Sequence, residues 1–360
     1  MKSFATAPFE PMKLPPLSRE PKVSVLVANY NYAGYVGLAL DSMLSQTYPR
    51  FEVLVCDDGS SDGSCDVIEE YAARDRRIRL IRKANGGQAS ALNAAYAAAD
   101  GEIVCVLDSD DVFHPRKIEK VISAFRREPG SGFCTHRVQP VSGTGRHLSG
   151  PLPKAMESGW IAPRVLTRAG ISSLPPASGL SFRKPVADCI FPLPLAFRSQ
   201  ADGYLMRAAQ FLTSIVSLPD VLADYRLHGG NLTGSTVPSL AGVKAAFDHA
   251  ARHIKSQKDF LASRYGKEVA DRLRVEDMYG HWEGFLVMYV LEGKPRNGIH
   301  GRSLDELMKE LPKTRRTRLW KLILALPPRS AELALKCWWR SAPWKSALSP
   351  FLRMLCVPTR

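Results

Sequence analysis

The sequence holds three short polar clusters of residue types that can handle phosphate, sugar and metal. Asp108, Ser109, Asp110 and Asp111 follow the apolar run 103–107; Asp57 and Asp58 follow 51–56; Asn29 to Tyr32 follow 23–28. Along an extended chain Asp108 and Asp110 project to one side, Ser109 and Asp111 to the other. Two such carboxylates repel unless a proton or cation joins them. Mg2+ or Mn2+, which takes one or two carboxylates and completes its shell with water and phosphate oxygens, answers that need at Asp108 and Asp110. The competing reading is a turn, with Asp111 capping the helix after Pro115. Of Asp57 and Asp58, alternation turns only one to the cleft, where a carboxylate can accept from a nucleobase imide or a ribose hydroxyl.

Elements must hold these clusters together. Residues 23–28, 51–56, 78–81 and 103–107 read as strands, and 35–46, 68–73, 89–99 and 118–125 as helices between them. Strands without polar alternation are buried on both faces, and their alternation with helices implies a parallel sheet covered on both sides. Ligands bind beyond the carboxyl ends of such strands, where the three clusters fall. Residues 133–194 read as irregular loops and short strands, followed by helices near 201–212, 239–265 and 269–291.

With 360 residues, 45% hydrophobic and 23% charged, the chain fits neither a small disulfide scaffold nor wholesale disorder nor a polytopic membrane protein. Seven scattered cysteines without a C-x-x-C pair point to a reducing compartment. The formal charge of +14 asks for an anionic partner. From Lys313 to Arg360, 11 Lys and Arg face the single acid Glu332, a net +10, so the preceding 312 residues carry about +4.

The segments Val23 to Asn31, Ser45-Gln46-Thr47-Tyr48, Asp57-Asp58-Gly59-Ser60, Asn85-Gly86-Gly87 and Leu107 to Asp111, in this order, resemble glycosyltransferase family 2. The resemblance implies an α/β fold of the GT-A (Rossmann-like) type, a mostly parallel sheet flanked by helices, here with a helical C-terminal extension. It also implies an inverting enzyme that uses a nucleotide-diphosphate sugar and a divalent metal, Mg2+ or Mn2+. By similarity Ala28 and Tyr30 lie by the nucleoside, Asp58 reads the base, Lys83 and Gly87 border the sugar, and Asp108, Ser109 and Asp110 flank ribose and diphosphate. Asp108 and Asp110 are the metal ligands. Asp202 is the base candidate, with a helix cap as the alternative, and His228 approaches the diphosphate. The family commonly has Pro or Thr where Ala28 or Asn29 stands, and Glu-Asp where Ala201-Asp202 stands.

The expected organisation is a disordered leader at 1–20, the transferase domain at 21–235, a helical extension at 236–312 and a basic, Trp-rich amphipathic tail at 313–360. Leu319, Leu322, Ile323 and Leu326 share a helix spacing among Arg and Lys, and four of six tryptophans lie in the tail. Such a stretch suits a membrane interface, which makes the expected location cytoplasmic and peripheral on the inner face. The acceptor is expected to be a glycan or lipid-linked hydroxyl of the cell surface, and no nucleic acid is expected. The alternatives are a non-catalytic nucleotide-sugar-binding protein of the same fold and a basic nucleic-acid-binding protein.

Overall fold

The computed structural model describes residues 7–167, 173–228, 240–273, 282–293 and 315–340. Two compact units hold them. The first contains residues 7–167, 173–228 and 256–272, and the second 240–255, 273, 282–293 and 315–340.

The first unit is an α/β layer structure. Strands β1 (Val23–Asn29), β2 (Phe51–Asp57), β3 (Ile78–Arg82) and β4 (Ile103–Asp108) alternate with helices α1 (Ala33–Leu44), α2 (Ser64–Arg74) and α3 (Gln88–Ala97). β5 (Val112–Phe113), α4 (Lys117–Arg127), β6 (Ser131–Ser142) and α5 (Ala162–Thr167) follow. Then come β7 (Leu180–Arg183), α6 (Lys184–Ile190), α7 (Ala201–Ala209) and β8 (Ser214–Leu227). One eight-stranded sheet results, in the order β3-β2-β1-β4-β7-β6-β8-β5. β1 to β4 pair in parallel, as do β6 and β8, while β7 runs antiparallel to β4 and β6, and β5 antiparallel to β8.

β1, β2 and β4 are buried almost throughout, as strands covered by helices on both faces must be. β6 is twelve residues long where the sequence reads as loops and short strands. Its buried Thr135, His136 and Gln139 break the apolar run that marks a buried strand. They are accommodated because Thr135 Oγ1 meets Ser217 Oγ at 2.7 Å and Gln139 Nε2 donates to Ser149 O at 2.6 Å.

Residues 7–20, expected as a leader, pack on the body. The Met12 amide donates to Leu212 O at 2.8 Å, the Arg183 guanidinium grips Pro15 O, and Phe9 lies edge-on to Tyr265. The continuous helix expected over 269–291 is broken after α9 (Lys267–Asp271); α10 (Trp282–Leu291) follows, and 274–281 lie outside the described residues. α8 (Leu240–Tyr265) precedes them, and its residues 256–265 belong to the first unit. In the second unit α12 (Pro328–Arg340) packs on α10 and α11 (Arg315–Ala325). There Trp320 and Ile323 are buried while Leu322 and Leu333 are exposed, so the tail's apolar spacing is shared between a core and a surface. No helix among the described residues is long and apolar enough to cross a membrane. Trp344 and the rest of 341–360 lie outside the described residues.

Candidate active site

The end of β4 does not continue as an extended strand. The Asp111 amide donates to Asp108 O at 3.0 Å, so residues 108–111 form a turn, and simple alternation of the four side chains fails. The turn sends β5 across to β8, with Val112 opposite Asp224 and Phe113 opposite Ala223. That register brings Asp110 to Arg226: Arg226 Nε donates to Asp110 O at 2.9 Å and the Arg226 amide to Asp111 Oδ1 at 2.8 Å.

Asp111 therefore caps no helix. It is fully buried and also accepts from Ser178 Oγ at 2.6 Å, and the same hydroxyl takes the Asp108 amide at 3.1 Å. α4 begins instead at Arg116 with no side-chain cap. Ser178 and Arg226 thus tie two distant segments to the acidic turn. Only Asp108 and Asp110 are left for chemistry.

His228, at the end of β8, meets Asp110 Oδ2 through Nε2 at 3.1 Å. Its ring stacks on Tyr35 with centroids 4.4 Å apart, and Tyr32 stands edge-on at 5.7 Å. Burial, then the charges of Asp110, Asp108 and Asp111, push the Tyr32 phenol up, which places that ring beside the acidic turn. Burial, then the like charges of Asp111, Asp110 and Asp202, push the Asp108 carboxyl well above its usual range. Asp110 is also raised by burial, against the stabilising hydrogen bond from His228.

The Asp110 carboxylate, with the His228 imidazole nitrogen 3.1 Å away, offers donors of the kind Mg2+ or Mn2+ takes, and the Asp108 charge belongs to the same turn. Among the described residues no three His, Cys, Asp or Glu side chains converge to hold a metal by themselves, so phosphate oxygens and water would complete the shell. Ser109 is buried within the turn.

Asp202 comes from the first turn of α7, an element remote in sequence, yet its charge acts on Asp108. Its own carboxyl is raised by burial, opposed by the Gly203 amide and by Arg207.

On the other flank Asp57 is turned inward. It accepts from Asn29 Nδ2 at 2.8 Å and from Ser60 Oγ at 2.7 Å. Asp58, equally buried, takes Lys83 Nζ at 2.6 Å and the Gly86 and Gly87 amides at 2.9 and 2.6 Å. Lys83 and Gly87 are thus part of a loop that Asp58 anchors. Gly87 has φ +88°, and a Cβ there would stand 2.6 Å from Arg198 Cα, so only glycine lets the two backbones approach. Ala28 lies level with Asp108 across β1 and β4, and Tyr30 beyond it is exposed.

The structure brings Asp110 and His228 together beside Asp108, and the charge of Asp202 acts on Asp108. Tyr35, Ser178 and Arg226 join them: the sequence places Ser178 in a stretch similar to the one lining the acceptor side in relatives and Arg226 in the segment around His228, and gives Tyr35 no role. Arg226 lies near the end of β8, two residues before His228. A model of glycosyltransferase family 2 matches residues 24–176. The chain belongs to glycosyltransferase family 2.

Relatives of this family 2 chain include an uncharacterized glycosyltransferase of Nostoc sp., 38% identical over 215 residues, covering 58% of this chain and 66% of that protein. Hyaluronan synthase of Pasteurella multocida is 39% identical over 112 residues, covering 31% of this chain and 12% of the synthase. The chain spans at most about two thirds of the length of these curated relatives. Among solved structures, S. aureus TarS 1-349 in complex with UDP-GlcNAc superposes with a TM-score of 0.54 at 21% identity, covering 89% of this chain and 91% of that one. That likeness is one of fold and makes the first unit a GT-A domain.

Proposed function

We propose that the protein is an inverting glycosyltransferase that moves a sugar from a nucleotide-diphosphate sugar to a hydroxyl of a glycan or lipid-linked acceptor. The observation that carries this reading is the Asp110–His228 pair beside Asp108 at the end of β4, on which the charge of Asp202, from α7, also acts. In this scheme the acceptor oxygen forms its bond to the anomeric carbon as the bond to the diphosphate breaks. Asp202 takes the hydroxyl proton, and the nucleoside diphosphate leaves with the bonding electrons. Asp110, His228 and Asp108 would hold Mg2+ or Mn2+, which supplies charge neutralisation of the departing diphosphate. Tyr30, exposed beyond the end of β1, offers a ring to the nucleoside, with Ala28 behind it.

Relatives named hyaluronan synthase and chondroitin synthase support a cell-surface glycan as the product class. Exposed Leu322 and Leu333 beside exposed Lys321 and Arg329 support peripheral membrane contact of the second unit.

The test is thermal unfolding with UDP-, GDP- and dTDP-sugars in Mn2+. One nucleotide class should raise Tm only with metal present, and the rise should vanish in Asp110→Asn. A chain whose Tm ignores every donor with metal present does not fit this reading.

A further inference from the structure

The segment from Leu193 to Ala201 leads into α7, and α3 holds it along its length. Asn93 grips both backbone groups of Leu193, Nδ2 donating to its carbonyl at 2.9 Å and Oδ1 accepting its amide at 2.6 Å. Further along, the Ala89 amide donates to Phe197 O at 3.1 Å and the Gln88 amide to Arg198 O at 2.8 Å. The last tie is a side chain: Gln88 Oε1 accepts the Ala201 amide at 2.9 Å.

Ala201 is the first residue of α7, and the first amides of a helix have no partner within it. The preceding Gln200 provides no side-chain cap and sits at φ 56°, a left-handed conformation that a non-glycine residue keeps only where its surroundings impose it. The cap is therefore delivered from another helix, 113 positions earlier in the chain. Gln88 also follows directly on Gly86 and Gly87, whose amides hold Asp58. One residue thus joins the loop on the Asp58 side to the residue immediately before Asp202.

We infer that Gln88 is a positioning residue for Asp202. It fixes the start and direction of α7 against the loop that Asp58 anchors, so that the acid meets the acceptor hydroxyl in register with the donor. The inference rests on the reading of Asp202 as the base. Misplacing a reacting group by about 1 Å costs on the order of 100-fold in rate. Loss of the Gln88 tie should accordingly fall on kcat and spare donor binding.

The test uses the full chain. Hydrogen exchange is followed in the peptide spanning 200–205, and Mn2+-dependent hydrolysis of UDP-N-acetylglucosamine, UDP-glucose and GDP-mannose is measured at pH 8. In Gln88→Ala, exchange at 200–205 should quicken about tenfold while α6 is unchanged. The kcat should fall about 10- to 100-fold, with the donor KM and the Tm rise on UDP binding within about twofold of wild type. Gln88→Glu, which keeps an acceptor oxygen for the Ala201 amide, should restore most of the turnover. Unchanged exchange at 200–205 overturns the inference, as does a Gln88→Ala enzyme with wild-type kcat. Asp202→Asn separates the two ideas. If it is inactive while Gln88→Ala is fully active, only the role of Gln88 falls; if Asp202→Asn turns over normally, the base assignment falls and the inference with it.

Discussion

The two halves of the sheet build the site by different means. In β3-β2-β1-β4 every pairing is parallel and the strands are mostly apolar. Loops at one edge do the work there, and Asp58 is spent on organising the backbone of its neighbours. In β7-β6-β8-β5 the pairings are mixed, polar residues are buried, and the contributions are single side chains: Ser178, Arg226 and His228. A loop held by several backbone bonds tolerates the loss of one, whereas a side-chain brace is lost with its residue. The second half should therefore be the more sensitive to point substitution.

The sharpest break of this contrast is at Asp202. Asp202→Asn should lower kcat by about 10²- to 10⁴-fold while nucleotide binding, read by calorimetry with UDP and Mn2+, stays intact. Next is the brace. Arg226→Ala frees the carbonyl of Asp110 while the backbone amide of residue 226 stays on Asp111, and should weaken Mn2+ affinity by about 10- to 100-fold. Lys83→Ala, which leaves the Gly86 and Gly87 amides on Asp58, should change it little. Equal effects of the two variants would erase the distinction between the halves.

Two stability slopes of opposite sign follow. His136, within β6, is fully buried with Nε2 unpartnered among the described residues, and burial pushes its imidazole down from 6.5 to about 3. The unfolded chain takes up this proton first, so stability is full above pH 6.5 and declines as pH falls from there, by up to ~1.4 kcal/mol per unit. In His136→Gln, denaturant titrations between about pH 6.5 and 5 should show a flatter loss. Asp108 has the reverse sign: its raised carboxyl means that the native state keeps the proton longer, so the penalty appears as pH rises above the ordinary 3.8. Asp108→Asn should therefore raise Tm at pH 7 without metal by about 1–2 °C, the shift that ~1 kcal/mol produces in a chain of this size. A lowered Tm would contradict the like-charge repulsion.

Sequence legibility divides along the same line. β1 to β4 were readable because uninterrupted apolar runs between helical spacings have no other stable solution than a covered parallel sheet. Asp58, Asp108, Asp110 and Asp202 were readable as acids placed where strands or helices begin and end. β6 was not, because Thr135, His136 and Gln139 are polar and the partner of Thr135, Ser217, is 82 residues away. The competing reading of Asp111 as a cap arose because a local bond is the default for an acid before a helix. Its real partners, Ser178 and Arg226, are 67 and 115 residues away. Gln88 carried no signal at all, since its target amide belongs to another helix.

The packed segment from residue 7 to 20 has a practical consequence for handling the protein. With Phe9 set between Trp160 and Tyr265 and the Pro15 carbonyl gripped by Arg183, it is a seam and not a dispensable tether. Clipping it by limited proteolysis, or trimming it to ease crystallisation, would uncover aromatic faces and leave the Arg183 guanidinium without that acceptor. The shortened protein should then be stickier than the whole one, although nothing near Asp108 has been touched.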